Sequence, residues 1–208
     1  MIELYTTGTP NGQRPLIMLE ECGLPYRKHY LDRDKGEQHD PAFTRLNRLA
    51  ALPVLVDPEA DGGPLTLTQS SAILLYLAEK TGQLLPRDAR GRGRVFEAQM
   101  LAQTDAHATL GQLVNANRRM PAGPGRDWQV QYHEARLAKF LGECERRVAE
   151  NGGWLAGSYS VADVVLFPSL NDPQFADYVT DAMPALRDWR ARISARPAVQ
   201  RALAACRP

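Results

Sequence analysis

Every strand signal in this 208-residue chain falls before Leu85-Pro86-Arg87, and everything after it carries helical spacing. Strands followed by a run of helices predict a small α/β domain and then an all-helical one. Ile2-Glu3-Leu4-Tyr5 alternates as a short strand, and Gly8, Pro10 and Gly12 interrupt it. An apolar periodic stretch from about Pro15 to Cys22 predicts the first helix, with Pro15 in its first turn because an interior proline removes a backbone donor. Tyr26–Leu31 reads as a second strand and Pro41–Leu46 as a short irregular helix. Val54–Val56 and Leu65–Leu67 flank a Gly-rich turn as an antiparallel hairpin, and Ser70–Lys80 forms a helix closed by Thr81-Gly82. The order β-α-β-α-β-β-α predicts a parallel first half and an antiparallel second. Further helices are expected over 90–117, 127–150, 161–171 and 184–204, with Pro121, Gly123, Pro124 and Gly125 as the clearest break. The expected domains are 1–82 and 90–208, joined by a linker at 83–89.

The bulk properties remove several function classes. A net charge of +1 offers no basic stripe for nucleic acid. No apolar run is long enough for a membrane span, and the N-terminus has no signal-peptide core, so a cytoplasmic protein is expected. Three cysteines (Cys22, Cys144, Cys206) lie far apart without a C-x-x-C pair, and four histidines show no ligand spacing, so no metal site is expected. Cys22 continues the spacing of Pro15, Met18 and Leu19, and Cys144 that of Leu137, Phe140 and Leu141. Both read as small core hydrophobes.

Three segments carry chemistry. Pro53 opens a strand, where a cis bond would leave the preceding backbone free to pair with an extended peptide. Gln69-Ser70 opens an apolar helix sixteen residues later, offering unpaired N–H groups and a positive dipole end to a carboxylate. Together they describe a cleft for a small, anionic, peptide-like ligand. The loop Tyr5-Thr6-Thr7-Gly8-Thr9-Pro10-Asn11-Gly12 lies at the carboxyl end of the first strand, where ligands sit in open α/β sheets. Thr9 and Asn11 either donate hydrogen bonds to a ligand there, or Asn11 simply caps the helix while Thr9 sits in a turn. Ser160-Val161-Ala162-Asp163 reads as a capping box, which makes Asp163 a packing residue rather than a catalyst.

The Thr9-Pro10-Asn11-Gly12 loop, the pre-strand Pro53, Gln69-Ser70-Ser71-Ala72-Ile73 and the Ser160–Asp163 box resemble the cytosolic glutathione transferases over essentially the whole chain. Thr9–Gly12 and Ala72–Gly82 are most similar to the bacterial Nu-class enzymes and their Ure2-like relatives. The resemblance implies a thioredoxin-like N-terminal domain that binds glutathione, an all-α C-terminal domain that helps form the second-substrate pocket, and a homodimer. Carried over, Leu52 before cis-Pro53 pairs with the cysteinyl part of glutathione, and Gln69 and Ser70 hold its γ-glutamyl end. Thr9 and Asn11 face the sulfur as the catalytic pair. Tyr5, Asp105 and His107 become candidates for the second-substrate site, beside their plainer readings as a strand residue and a solvated helix face. Many members carry a basic residue two positions before the cis-proline; this chain has Ala51, with Arg45 and Arg48 nearby.

The resemblance thus implies an enzyme that activates the thiolate of glutathione for attack on a disulfide or on a small electrophile, with glutathione or oxidised glutathione as ligand. A non-catalytic ligand- or partner-binding protein of the same fold is the alternative. A glutaredoxin-like reductase is disfavoured, because the first loop has no cysteine.

Overall fold

The structure, a computed structural model, describes residues 1–206. It separates into two compact units: Met1–Gln83 together with the C-terminal segment from Ser194, and Leu84–Ile193.

In the first unit, strands β1 (Ile2–Thr6), β2 (Tyr26–Tyr30), β3 (Val54–Asp57) and β4 (Leu65–Thr68) form one sheet in the order β2-β1-β3-β4. β1 and β2 run parallel, with Ile2 opposite Tyr26, while β3 pairs antiparallel with both β1 and β4. Ile2, Leu4 and Thr6 are buried, and Glu3 and Tyr5 lie on the other face of β1. On the buried face pack helices α1 (Pro10–Glu21) and α3 (Ser70–Thr81), which also pack on each other. Leu16, Ile17, Met18, Leu19, Ile73, Leu74 and Leu77 are fully buried between them. Such side chains are worth about 1.5–3 kcal/mol each, which is why these helices form where their apolar spacing puts them. The short α2 (Pro41–Thr44) lies on the opposite face, where its Phe43 meets the Tyr5 ring. Asp57 on β3 is tied to α3 by Tyr76 (2.6 Å) and Lys80 (2.9 Å). Burial opposes its ionisation, but the bonds from Lys80 and Tyr76 prevail and hold its carboxyl below the usual range.

The first helix starts earlier than its apolar spacing indicates. Thr9 caps it, accepting from the Gly12 N–H at 3.4 Å, and Pro10 occupies the first turn, so Pro15 lies in the interior. The α1 helix therefore runs through a proline, at the cost of the donor that would have reached the Asn11 carbonyl.

The second unit consists of α4 (Ala89–Met100), a π-helical segment (Leu101–His107), α5 (Ala108–Arg119), α6 (Pro124–Glu150), α7 (Val161–Asn171) and α8 (Pro184–Ser194). The single helix expected over 90–117 is thus interrupted by a π-turn, a distortion that apolar spacing does not register. Helix α7 is buried on every side, from Val161 to Leu170. Its capping box is formed: Asp163 accepts from the Ser160 N–H (2.9 Å) and hydroxyl (3.1 Å). The same carboxylate accepts from the Leu155 N–H (3.1 Å) and from Trp189 Nε1 on α8 (2.8 Å), without any exposure to solvent. Burial pushes its pKa up to about 6, against the pull of these four donors.

The stretch 184–204 is two helices, not one. Pro197 starts α9 (Pro197–Ala205), which groups with the first unit and packs along α1. Arg196 grips Glu21 with two bonds of 2.6 and 2.7 Å, Arg201 meets Glu20 at 2.7 Å, and Lys28 donates to the Ala205 carbonyl at 2.8 Å. Apolar spacing over 184–204 could not reveal this return, because it is carried by charge pairs between residues some 175 positions apart. The segment from Ser194 is accordingly separated from the rest of the expected 90–208 domain.

Candidate functional site

The loop between β1 and α1 is held tightly from inside. Thr6 Oγ1 donates to the Gly12 carbonyl at 2.9 Å. A Cβ on Gly12 would lie 2.1 Å from the Thr7 carbonyl oxygen and 2.7 Å from Thr6 Oγ1, so only glycine fits there. From the far end of the chain, Cys206 Sγ donates to the Thr7 carbonyl at 3.4 Å.

This loop delivers Asn11 into the first turn of α1, beside the N-terminus of α3. Ser70 Oγ donates to Asn11 Oδ1 at 3.3 Å, although the two residues are 59 positions apart. Arg14, one turn further along α1, donates from Nη1 to Asn11 Oδ1 at 2.5 Å and to Ser70 Oγ at 3.2 Å. Arg14 is fully buried, and burial lowers its pKa to about 9, which still leaves it cationic at neutral pH. Asn11, Arg14 and Ser70 therefore close a triangle between two helix N-termini. Positive dipole ends and one buried cation meet there, an arrangement that favours an anion.

Gln69, exposed at the entry to α3, has φ 68° and ψ 109°, outside the regions that non-glycine residues favour. Such backbone costs on the order of 1–3 kcal/mol and is concentrated at functional sites. The Leu52–Pro53 peptide is cis, and the ladder of β3 begins directly after it at Val54. Upstream, buried Asn47 fixes the loop by donating to the Ala51 carbonyl (2.7 Å) and accepting from the Leu49 N–H (3.1 Å), while Ala50 adopts φ 50°. Ala51, Arg45 and Arg48 are exposed.

The structure brings together Thr9, Asn11 and Ser70 of the expected residues, and it adds Arg14, which the sequence reading passed over. The signal for Arg14 was a charged residue within the apolar spacing of α1, one turn after Asn11. The plainer reading is corrected for both residues: the helix cap is Thr9, not a turn residue, and Asn11, expected there as the cap, does not cap. Tyr5 is not drawn into this cluster. Its ring stacks on His29 (4.4 Å), leans on Phe43 (5.9 Å) and lines a cavity of about 380 Å³ with Leu31, Glu37, Asp40 and Leu46. Its hydroxyl donates to Glu3 at 3.3 Å, and burial together with Glu3 raises its pKa, so it is poorly suited to hold an anion. Asp105 and His107 belong to the π-helical segment of the second unit, both half-buried, and His107 Nδ1 lies 2.8 Å from Ser169 Oγ on α7.

The protein's own thiols are poor nucleophiles. Burial raises the pKa of all three, Cys144 to about 12 and Cys206 to about 11. Among the described residues no group of three or more His, Cys, Asp or Glu is placed to hold a metal, and no helix is long and apolar enough to cross a membrane.

Comparison with known proteins places this geometry in a family. Residues 9–80 match the glutathione S-transferase N-terminal domain and residues 122–205 match the glutathione S-transferase C-terminal domain. The chain is 35% identical over 206 residues to the disulfide-bond oxidoreductase YfcG of Escherichia coli, covering 98% of this chain and 94% of that protein. A Burkholderia graminis glutathione transferase, solved with two glutathione molecules per subunit, superposes with a TM-score of 0.90 at 35% identity, over 97% of this chain and 87% of the other. A Pseudomonas putida glutathione transferase with one glutathione disulfide per subunit gives 0.89 at 31% identity, over 97% and 90%. A thioredoxin-like sheet with the Asn11 loop and the Ser70 helix on one side, both family domains in order, and full-length relatives above 30% identity agree on one conclusion: this chain belongs to the glutathione S-transferase family.

Proposed function

We propose that the chain is a glutathione-dependent disulfide-bond oxidoreductase whose nucleophile is the thiolate of bound glutathione. The observation that carries this reading is the Asn11–Arg14–Ser70 triangle at two converging helix N-termini. It offers an amide donor and positive potential in one place, while the first loop has no cysteine and the chain's own thiols are suppressed. The two relatives solved with two glutathiones or with glutathione disulfide support the disulfide branch over conjugation to an electrophile, which would use the same thiolate.

In this reading the γ-glutamyl carboxylate of glutathione takes the first turn of α3. The Ser70 hydroxyl proton is directed at Asn11, so Ser70 offers the carboxylate its backbone N–H, with Gln69 beside it. Leu52, at the lead-in to β3, pairs with the cysteinyl backbone as one more extended strand. Asn11 and the Thr9 turn face the sulfur. A free thiol with pKa near 8.5 is about 3% thiolate at pH 7. Each tenfold gain needs about 1.4 kcal/mol of preferential stabilisation, the order of one charge-assisted hydrogen bond. The thiolate attacks one sulfur of a disulfide, forming a mixed disulfide and releasing the other half as thiolate. A second glutathione thiolate then attacks the glutathione sulfur of the mixed disulfide, leaving oxidised glutathione and the second thiol. Asp105 and His107 are assigned by the same reading to the second substrate. A homodimer in the cytoplasm completes it, on the family resemblance.

Calorimetric titration with reduced and with oxidised glutathione, alongside turnover of a small disulfide, tests the proposal. Tighter binding of the oxidised form with disulfide turnover is expected. Binding of neither form overturns the proposal, and binding of the reduced form alone without disulfide turnover moves the function to conjugation.

A further inference from the structure

We infer that Arg14 is a positioning residue for the thiol chemistry: it fixes which end of the Asn11 side-chain amide is presented to the ligand. The inference rests on the assignment of Asn11 to the glutathione sulfur. An asparagine amide has an accepting end and a donating end of nearly equal size, and only the donating end stabilises a thiolate. A rotation of that group by half a turn would set an oxygen lone pair against the sulfur anion and convert an attraction into a repulsion.

The surroundings allow one orientation. A guanidinium has donors and no acceptor. Arg14 Nη1 lies 2.5 Å from one end of the Asn11 amide, so that end is the oxygen whichever way the atoms are labelled. Ser70 donates to the same oxygen at 3.3 Å, and its own oxygen accepts from Arg14 at 3.2 Å, which leaves its single proton for Asn11. With Oδ1 held by two donors, the Asn11 NH2 group projects away from Arg14. Full burial excludes water as a competing partner for the guanidinium, and the spacing i to i+3 on α1 sets the two side chains on one face of the helix. Asn11 itself is half-buried, so its free end remains reachable.

The experiment compares the full-length enzyme with Arg14→Gln, Arg14→Lys, Asn11→Ala and the double variant Asn11→Ala/Arg14→Gln. Each is checked for folding by thermal denaturation. The thiol pKa of bound glutathione is read from thiolate ultraviolet absorbance and from the pH dependence of disulfide turnover. Arg14→Gln should raise the bound thiol pKa by about one unit, a roughly tenfold loss of thiolate at neutral pH. Arg14→Lys, which keeps a cationic donor but loses the guanidinium's reach to both Asn11 and Ser70, should recover about half of that shift. In the Asn11→Ala background, Arg14→Gln should add little. A residue that only supports packing would lower the melting temperature without moving the titration, and would act equally in both backgrounds.

A wild-type titration in Arg14→Gln beside a shifted one in Asn11→Ala overturns the role of Arg14 and leaves the assignment of Asn11 intact. A wild-type titration in Asn11→Ala overturns that assignment and the inference with it. If Arg14→Gln does not fold, Arg14→Lys is read against Asn11→Ala. A titration between wild type and Asn11→Ala supports the inference, and one identical to wild type with the Asn11 shift present refutes it.

Discussion

Replacing Asp163 by alanine should unfold the helical unit far more readily while sparing the chemistry of the site. The buried carboxylate accepts three N–H donors, from Leu155, Ser160 and Trp189, besides the Ser160 hydroxyl. Bonds to a charged acceptor are worth about 1.5–3 kcal/mol each, so three amount to about 6 kcal/mol. The pKa of about 6 is already the balance of burial against these bonds, so no separate burial cost is set against them. Asp163→Ala leaves three buried N–H donors without their acceptor, and the loss at pH 7 is about 3–6 kcal/mol, or roughly 6–24 °C in melting temperature for a chain of this size. The group's folded pKa lies above its unfolded value. Its stabilising contribution is accordingly complete below about pH 4 and is lost as pH rises through about 6. The gap between wild type and variant should be widest near pH 4 and narrow toward pH 7. Urea denaturation followed by tryptophan fluorescence is the assay, since Trp128, Trp154 and Trp189 all lie in the Leu84–Ile193 unit. A loss below about 1 kcal/mol, or a gap that grows with pH, refutes the accounting. Abolished disulfide turnover in a folded variant refutes the structural role itself.

Three further substitutions have definite outcomes. Asn11→Ala should lower glutathione-dependent turnover at least tenfold at neutral pH in a folded protein destabilised by about 1–3 kcal/mol, since buried Arg14 loses an acceptor; wild-type turnover would remove Asn11 from the site. Gly12→Ala forces a Cβ onto the Thr7 carbonyl at 2.1 Å, and should cost about 2–4 kcal/mol by thermal denaturation as well as activity, because the loop must move to accept it. Lys80→Met removes the cation that helps keep Asp57 ionised below the usual carboxylate range. It should lower stability by about 1 kcal/mol near pH 7, with the difference from wild type fading as pH falls through the carboxylate range and Asp57 protonates in both proteins.

What was legible in the sequence is what periodicity and turn chemistry encode. The alternation of Ile2–Tyr5, the Gly-rich turn of the hairpin and the capping pattern at Ser160–Asp163 each act through neighbours in the chain, so strand, hairpin and helix start appear where expected. The position of Ser70 at the start of α3 was visible for the same reason. Arg14 was not, because its partners Asn11 and Ser70 are defined by tertiary packing, and a charge among apolar residues is ambiguous until that packing is known. The π-segment at Leu101–His107 preserves the apolar spacing closely enough to pass for ordinary helix. Pro15 differs for the opposite reason: interior prolines are disfavoured in helices, yet the Thr9 cap moves the start of α1 upstream and leaves Pro15 inside it.

The partnership of α9 with α1 has a consequence for biosynthesis. The β1–α1 loop leaves the ribosome well before the residues that brace it, Cys206 on the Thr7 carbonyl and Arg196 on Glu21, have been made. Contacts of such long sequence separation form late, after the entropy of closing a loop of some 175 residues or more has been met. A nascent polypeptide that carries every glutathione-site residue would thus still have an unbraced first loop until α9 has been made.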